Sequence, residues 1–361
     1  MSGARVLTSD RQFAALQTDI PGCAWAFQFG ADGVSEAGSP EDLAKLPELP
    51  DGSFVWVHFQ LPDTRVGTLL KSVGVLSDDA RDALVGVVDH QYVEHAGNIV
   101  FGALIDHETT MAGRTYDTNF LRFALARGYL FTARRVPLQG TQATHAAIKA
   151  GRNVVSPVLL FEMIVENISA CVAKMNREIA DKLDAIEDRV ILDSSGREQR
   201  APLGKIRRDA VRLARQVGGL NSTMLRLEEA AGEPDHKELY DVATRLAQRS
   251  EGLSRDIANL QDRARLLQDE VNAILTMETN DRLYLLTIVT TLILPATFVT
   301  GYFGMNTKQL LFSEDDNGTI YATVICVLAS LLALFLLRRF GLAQPIAAKD
   351  EARPKEPTSF N

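Results

Sequence analysis

The sequence predicts an α+β membrane protein: an N-terminal α/β cytosolic domain, then long stalk helices, then two C-terminal transmembrane helices. Three observations predict it. Leu283–Phe303 is 21 residues without a charge, and Ile320–Leu337 is 18 more. As helices, runs of that length are enough to cross a bilayer core, roughly 31 Å for the first. Ahead of them lie long stretches almost free of glycine and proline, with apolar residues at helical spacing, and ahead of those a set of short β-rich runs.

The β-rich runs are 23–29 (CAWAFQF), 53–61 (SFVWVHFQL), 98–105 (NIVFGALI), 119–125 (NFLRFAL) and 129–135 (YLFTARR). Ser39-Pro40-Glu41-Asp42 offers an N-cap, a first-turn proline and early acids for a helix between strands, and Ser77-Asp78-Asp79 does the same further on. Strands separated by helical stretches predict one sheet covered by helices over 1–150. Trp25 and Trp56 fall in strand patterns and are expected in the core.

From 151 to 282 the expected elements are helices. Ser156-Pro157 caps the first, the segment 193–204 interrupts, and a second helical run follows from Lys205. Within it Val217-Gly218-Gly219 is expected to be a helix irregularity rather than a phosphate loop. Gly232-Glu233-Pro234 separates the second run from a third, which has no breaker until Pro295; carried to Phe303 it would be roughly 100 Å long. Leu253, Ile257, Leu260, Ala264, Leu267, Val271 and Ile274 form an apolar stripe on it, able to pack on the two preceding helices.

A second seam on the same helix runs through Asn259, Asp262, Leu266, Asp269, Ala273, Thr276, Asn280, Leu283, Thr287, Thr290, Leu294, Thr297 and Gly301. It lies about 200° from the apolar stripe. Within the hydrophobic run it is polar and uncharged. Such a face in a spanning helix turns toward other protein or toward water. Pore lining and interhelical packing by small hydroxyl residues both remain open. Asp262 and Asp269 read either as funnel acids or as solvated surface.

Pro295 removes one ladder hydrogen bond and is expected to bend the first span. The link 304–319 carries Lys308 against Glu314, Asp315 and Asp316, whereas Arg338-Arg339 follow the second span. Basic flanks prefer the cytoplasm, so both termini are expected inside, the loop outside, and the membrane to be the inner (plasma) membrane. The first residues lack a signal-peptide core, and the tail 338–361 is expected to be cytoplasmic, disordered from Ala343.

A net charge of −8 speaks against a nucleic-acid partner. Cys23, Cys171 and Cys326 have no metal-ligand spacing. Of the six histidines, His90 and His95 come nearest to a pair, but neither helix nor strand geometry turns them to one side. No nucleophile motif or Gly-rich nucleotide signature is present, so the expectation is that the chain is not an enzyme and needs no cofactor.

Gly304-Met305-Asn306 closes the first span, precedes a short loop and a second span, and ends a long helical stalk. This combination resembles the CorA family of divalent metal cation transporters. Trp56-Val57-His58 and Thr132-Ala133-Arg134-Arg135 look more like its ZntB-like zinc-transporting branch. The resemblance implies a homopentamer in membrane lipid, with the first span lining the pore and the second facing lipid. Gly304, Met305 and Asn306 would form a selectivity mouth, and Asn306 and Asp269 would meet the metal ion. Glu314, Asp315 and Asp316 would draw cations to the entrance. Phe303 and Thr307 flank the tripeptide where magnesium members often carry tyrosine and phenylalanine, and the loop reads KQLLFSEDDNGT. Zinc and magnesium both stay open, as does proton coupling. The competing expectation is a two-span signalling or tethering protein, against which stands a loop of only about 16 residues.

Overall fold

The computed structural model describes residues 20–30, 33–36, 49–50, 52–109, 117–193, 198–231, 237–305 and 317–339. The helix start expected at Ser39-Pro40 lies outside them. The chain divides into two compact units, one holding the sheet and the helices up to Gln268, the other running from Asp269 onward.

The first unit is built on a seven-stranded sheet. Its strands are β1 (Cys23–Gly30), β2 (Gly33–Glu36), β3 (Phe54–Gln60), β4 (Tyr92–Ala96), β5 (Ile99–His107), β6 (Thr118–Ala126) and β7 (Tyr129–Arg134), in the spatial order β2-β1-β3-β7-β6-β5-β4. All neighbours are antiparallel except β3 and β7, which run parallel. Both faces of the sheet are covered. Val55, Val57, Phe59, Phe101 and Phe131 pack on one side with Val66, Leu70 and Leu84 of two short helices, α1 (Arg65–Ser72) and α2 (Asp78–Val85). Ser77 caps α2 as expected, its hydroxyl accepting from the Ala80 amide at 3.2 Å. Alternate residues, among them Trp56, Leu104, Phe123 and Leu130, turn to the other face and pack on the longer helices.

Those helices are α3 (Gln139–Lys149), α4 (Pro157–Asp193), α5 (Arg200–Ala230) and the first part of α6 (Lys237–Phe303). Ser156 holds the start of α4 by accepting from the Leu159 amide at 3.1 Å. Side-chain pairs give the directions. Arg245 forks onto Glu162 at 2.8 and 2.9 Å and Arg249 meets Glu166 at 2.5 Å, so α4 and α6 run parallel. Ser250 bonds Asn221 and Gln261 bonds the Ala210 carbonyl, so α5 runs antiparallel to α6. Of the expected stripe, Leu253, Ile257, Leu260, Ala264, Leu267 and Val271 are buried and Ile274 is half-buried. The half-exposed ion pairs set register more than stability.

Two expectations change. The second helical run begins at Arg200, ahead of Lys205. Val217-Gly218-Gly219 is no irregularity: α5 is continuous, and Gly219 is a slot for a side chain. A Cβ there would lie 2.3 Å from Gln91 Nε2, which donates to the Gln216 carbonyl at 2.9 Å while the Gln91 oxygen accepts from the Ile105 amide.

The second unit contains the rest of α6 and α7 (Gly318–Arg339), a pair of antiparallel helices. Their apolar side chains are bare: Leu285 is 63% exposed, Phe298 75%, Ile320 60% and Phe335 63%. So large an apolar surface belongs in hydrocarbon rather than water.

Gly140 sits where α3 crosses α4, and a Cβ there would come within 2.6 Å of the Ile168 side chain and 2.9 Å of its backbone nitrogen. Gly140→Ala should therefore cost about 1–3 kcal/mol of stability in the first unit. Gly67→Ala, with nothing within 4 Å of the added carbon, should stay within about 0.5 kcal/mol. Urea titration followed by tryptophan fluorescence reads both.

Candidate functional site

The candidate site is one face of α6. Thr276, Asn280, Leu283, Thr287, Thr290, Leu294, Thr297 and Gly301 are all exposed, as are Asp262 and Asp269 on the same helix. Leucines at 283 and 294 are 54% and 66% exposed, so neither is packed within the chain. The threonines are satisfied locally. Thr276, Thr287, Thr290 and Thr297 each donate the hydroxyl proton to the carbonyl four residues earlier, at 2.8, 2.8, 2.8 and 3.0 Å. A hydroxyl whose proton is spent on its own helix keeps its oxygen lone pairs for whatever lies outside. The seam thus presents acceptors.

The opposite side of the same helix packs on α7. Ile288, Thr291, Pro295, Ala296 and Phe303 are half-buried and Val299 is buried. On α7 most of the buried or half-buried side chains are small, Ala322, Cys326, Ala329, Ser330 and Ala333, with Leu334 and Leu337 joining them toward the C-terminal end. Small residues let two helices approach closely in a membrane. Two of them reach the α6 backbone, Ser330 Oγ donating to the Leu292 carbonyl at 3.1 Å and Cys326 Sγ to the Ala296 carbonyl at 3.8 Å. Val299 and Thr297 are two residues, about 200°, apart on the helix. The hydroxyl seam therefore faces away from α7.

At the end of α6, Gly304 donates its amide to the Thr300 carbonyl at 2.9 Å, and a Cβ at 304 would press on that same carbonyl at 3.0 Å. Met305 is exposed. Asn306 and the loop acids Glu314, Asp315 and Asp316 lie outside the described residues.

In the first unit the two short motifs of β3 and β7 meet. Trp56 Nε1 donates to Thr132 Oγ1 at 2.9 Å, His58 Nδ1 lies 2.8 Å from the same oxygen, and Thr132 donates to the Val57 carbonyl at 3.3 Å. With the threonine proton on Val57, His58 carries its own proton on Nδ1. Trp25 stacks between His58 and His145, each at 4.2 Å, and the Arg134 guanidinium carbon lies 5.2 Å from the Trp25 ring centre. Burial, then the charge of Arg134, hold His58 well below its ordinary range. Burial pushes His145 down to about 4, helped by Lys149 and Arg134. Burial also takes His107 to about 4, against a smaller opposing pull from Gln216. Asp106 is raised by burial, although four donors, the amides of Gly140, Thr141 and His107 and the Thr141 hydroxyl, act the other way. Among the described residues, no three His, Cys, Asp or Glu side chains gather as a metal site. His90 pairs with Asp89 at 2.6 Å on the surface, and His95 is exposed on β4.

The sequence reading missed His145, Ser330 and Cys326. His145 belongs to a helix without a local start signal, and the other two bond to backbone, which leaves no partner residue type to search for.

A profile of the family described as CorA-like Mg2+ transporter protein matches residues 51–339. The zinc transport protein ZntB of Pectobacterium carotovorum is 22% identical over 303 residues, covering 81% of this chain and 88% of that one. The divalent cation transporter CmaX of Pseudomonas aeruginosa is 24% identical over 325 residues, 88% and 95% of the two chains. The solved structure of the full-length CmaX protein has the same fold, with a TM-score of 0.73 at 21% identity over 90% of this chain and 99% of that one.

Acid tests the buried histidines. Folded His107 and His145 titrate near about 4, against an ordinary 6.5. Below 6.5 the unfolded chain takes up protons that the folded chain refuses, so stability falls as pH drops toward 4 and no such loss occurs above 6.5. Both tryptophans of the chain lie in β1 and β3, so their fluorescence reports this unit. The thermal midpoint should decline between pH 6.5 and pH 4, and His107→Gln should flatten the decline.

Proposed function

The chain belongs to the family of CorA-like Mg2+ transporter proteins and is a divalent-cation transporter of that kind; from this premise we propose a homopentamer of the inner membrane that passes hydrated zinc along an axial conduit lined by the hydroxyl seam of α6. Asn306, with Gly304 and Met305, forms its outer mouth. Asp262 and Asp269 lie toward its cytoplasmic end, Glu314, Asp315 and Asp316 gather cations outside, and both termini stay in the cytoplasm.

The observation that carries this reading is the state of the seam hydroxyls. Thr276, Thr287, Thr290 and Thr297 have given their protons to the helix. Water around a cation turns its hydrogens outward and needs acceptors; water around an anion needs donors. Rings of spent hydroxyls therefore suit a hydrated cation. They are neutral and bind weakly, which release requires. The orientation fits as well, because α7 occupies the far side of α6 and leaves the seam for neighbouring copies. Membrane potential contributes about 4.6 kcal/mol per 100 mV to the entry of a divalent ion.

The ZntB relatives favour zinc. Magnesium is the second reading. The seam holds no His or Cys, and Mg²⁺, which gives up water reluctantly, is well served by such a lining.

Flux into liposomes under a set potential and pH gradient tests the proposal. Asn306→Ala should lower uptake by about tenfold or more, as expected for a lost contact of about 1.4 kcal/mol. Thr290→Cys should conduct until a polar thiol reagent blocks it. Normal uptake by Asn306→Ala would remove the mouth, and an unreactive Cys at 290 would remove the seam. A dimeric mass in detergent would favour a two-span tether instead.

A further inference from the structure

Pro295 stands inside the spanning part of α6. Having no N–H, it leaves the Thr291 carbonyl without its usual donor, and its ring crowds that carbonyl, so the turn 291–295 is the weakest in the span. The Leu292 carbonyl belongs to this turn. In an unbroken ladder its partner is the Ala296 amide, one residue beyond the proline. Here it receives a second donor from another helix, Ser330 Oγ of α7 at 3.1 Å. One turn on, the Ala296 carbonyl accepts from Thr300 Oγ1 at 2.9 Å and from Cys326 Sγ at 3.8 Å. The pairs 292 with 330 and 296 with 326 share one antiparallel register. The small residues around them on α7 allow the close approach. The second span thus grips the first on both sides of its proline.

We infer that Ser330 is a positioning residue of the transport pathway: by holding the Leu292 carbonyl it fixes the helix geometry across Pro295, and with it the aim of Thr297, Gly301 and the mouth beyond. The inference rests on the reading of the α6 seam as the conduit. A change of helix direction at the proline turn would displace every seam residue after 295 while leaving Thr276, Asn280 and Leu283 in place. The serine is the stronger of the two grips, because a hydroxyl is a better donor than a thiol.

The full chain in liposomes tests this with two readouts. Interhelical hydrogen bonds in bilayers are modest, so Ser330→Ala should lower zinc uptake roughly threefold, and Ser330→Thr, which keeps the donor, should retain it. In a Pro295→Ala background, where the ladder is whole, Ser330→Ala should have no further effect. Amide hydrogen exchange across 292–299 should quicken in Ser330→Ala and stay slow in the double variant. Equal losses in both backgrounds would overturn the inference, as would unchanged exchange in Ser330→Ala. Unchanged uptake in Ser330→Ala, with the thiol reagent still blocking Thr290→Cys, would overturn it too. If the reagent fails to block, the conduit reading is what fails. Exchange alone then decides whether the serine grips the proline turn.

Discussion

A backbone that crosses hydrocarbon has no water to bond, so each N–H and C=O must find its partner inside the protein. Much of the second unit follows from that rule. It makes both apolar stretches helices. It also disposes of the threonine hydroxyls, which fold back on the carbonyl one turn earlier instead of remaining as loose donors. Pro295 is the one place in the first span where the ladder is broken, and on either side of it Ser330 and Cys326 of the neighbouring helix donate to the Leu292 and Ala296 carbonyls. Local satisfaction has a functional by-product. It decides the polarity of the exposed face, because a hydroxyl can spend its single proton only once.

The same accounting shapes the sheet. Most of both faces is apolar, and most of the buried polar side chains, His58, Asp106, His107, Thr132 and Arg134, lie toward the C-terminal ends of β3, β5 and β7. His58 and Thr132 are opposite each other in the parallel register, and with Trp56 they close a small network around one hydroxyl. A slip of either strand by one residue would turn its own side chain to the other face, leaving polar groups buried without partners. The network therefore specifies the pairing of the one parallel pair, which no short turn enforces. Asp106 acts likewise for α3. Its carboxylate takes the place of a local cap at the first turn, accepting from Gly140 and Thr141 across more than thirty residues of chain.

That long reach explains what was legible in the sequence and what was not. Strands rich in Val, Phe and Trp, helices with unbroken 3.6 periodicity and spans of hydrocarbon length declare themselves, because the forces that make them are local or depend on length alone. The helix Gln139–Lys149 did not. Its first turn holds Gly140 and Thr141, residues of low helix propensity, its N-cap position is Leu138, and its capping group sits on a strand. Gly219 misled for the same reason: its neighbour is Gln91, over a hundred residues away. The seam was readable as a polar face by spacing, but not the state of its hydroxyls. Ser330, one hydroxyl in an apolar helix, gives no hint of the carbonyl it serves. The mouth at Asn306 rests on the tripeptide and the family.

The seam also bears on the ion. A tightly held zinc calls for imidazole or thiolate, and such ligands would bind too well to release it quickly. An acceptor-lined, neutral passage does neither. In the conduit proposed for this chain, the seam would meet the outer hydrogens of the hydration shell and not the metal itself, and so would distinguish cation from anion. Zn²⁺ and Mg²⁺ differ most in their appetite for nitrogen and sulfur, the property this passage does not sample. On that proposal, any preference between them would come from the mouth assigned to Gly304 and Asn306, or from apolar constrictions at the exposed Leu283 and Leu294.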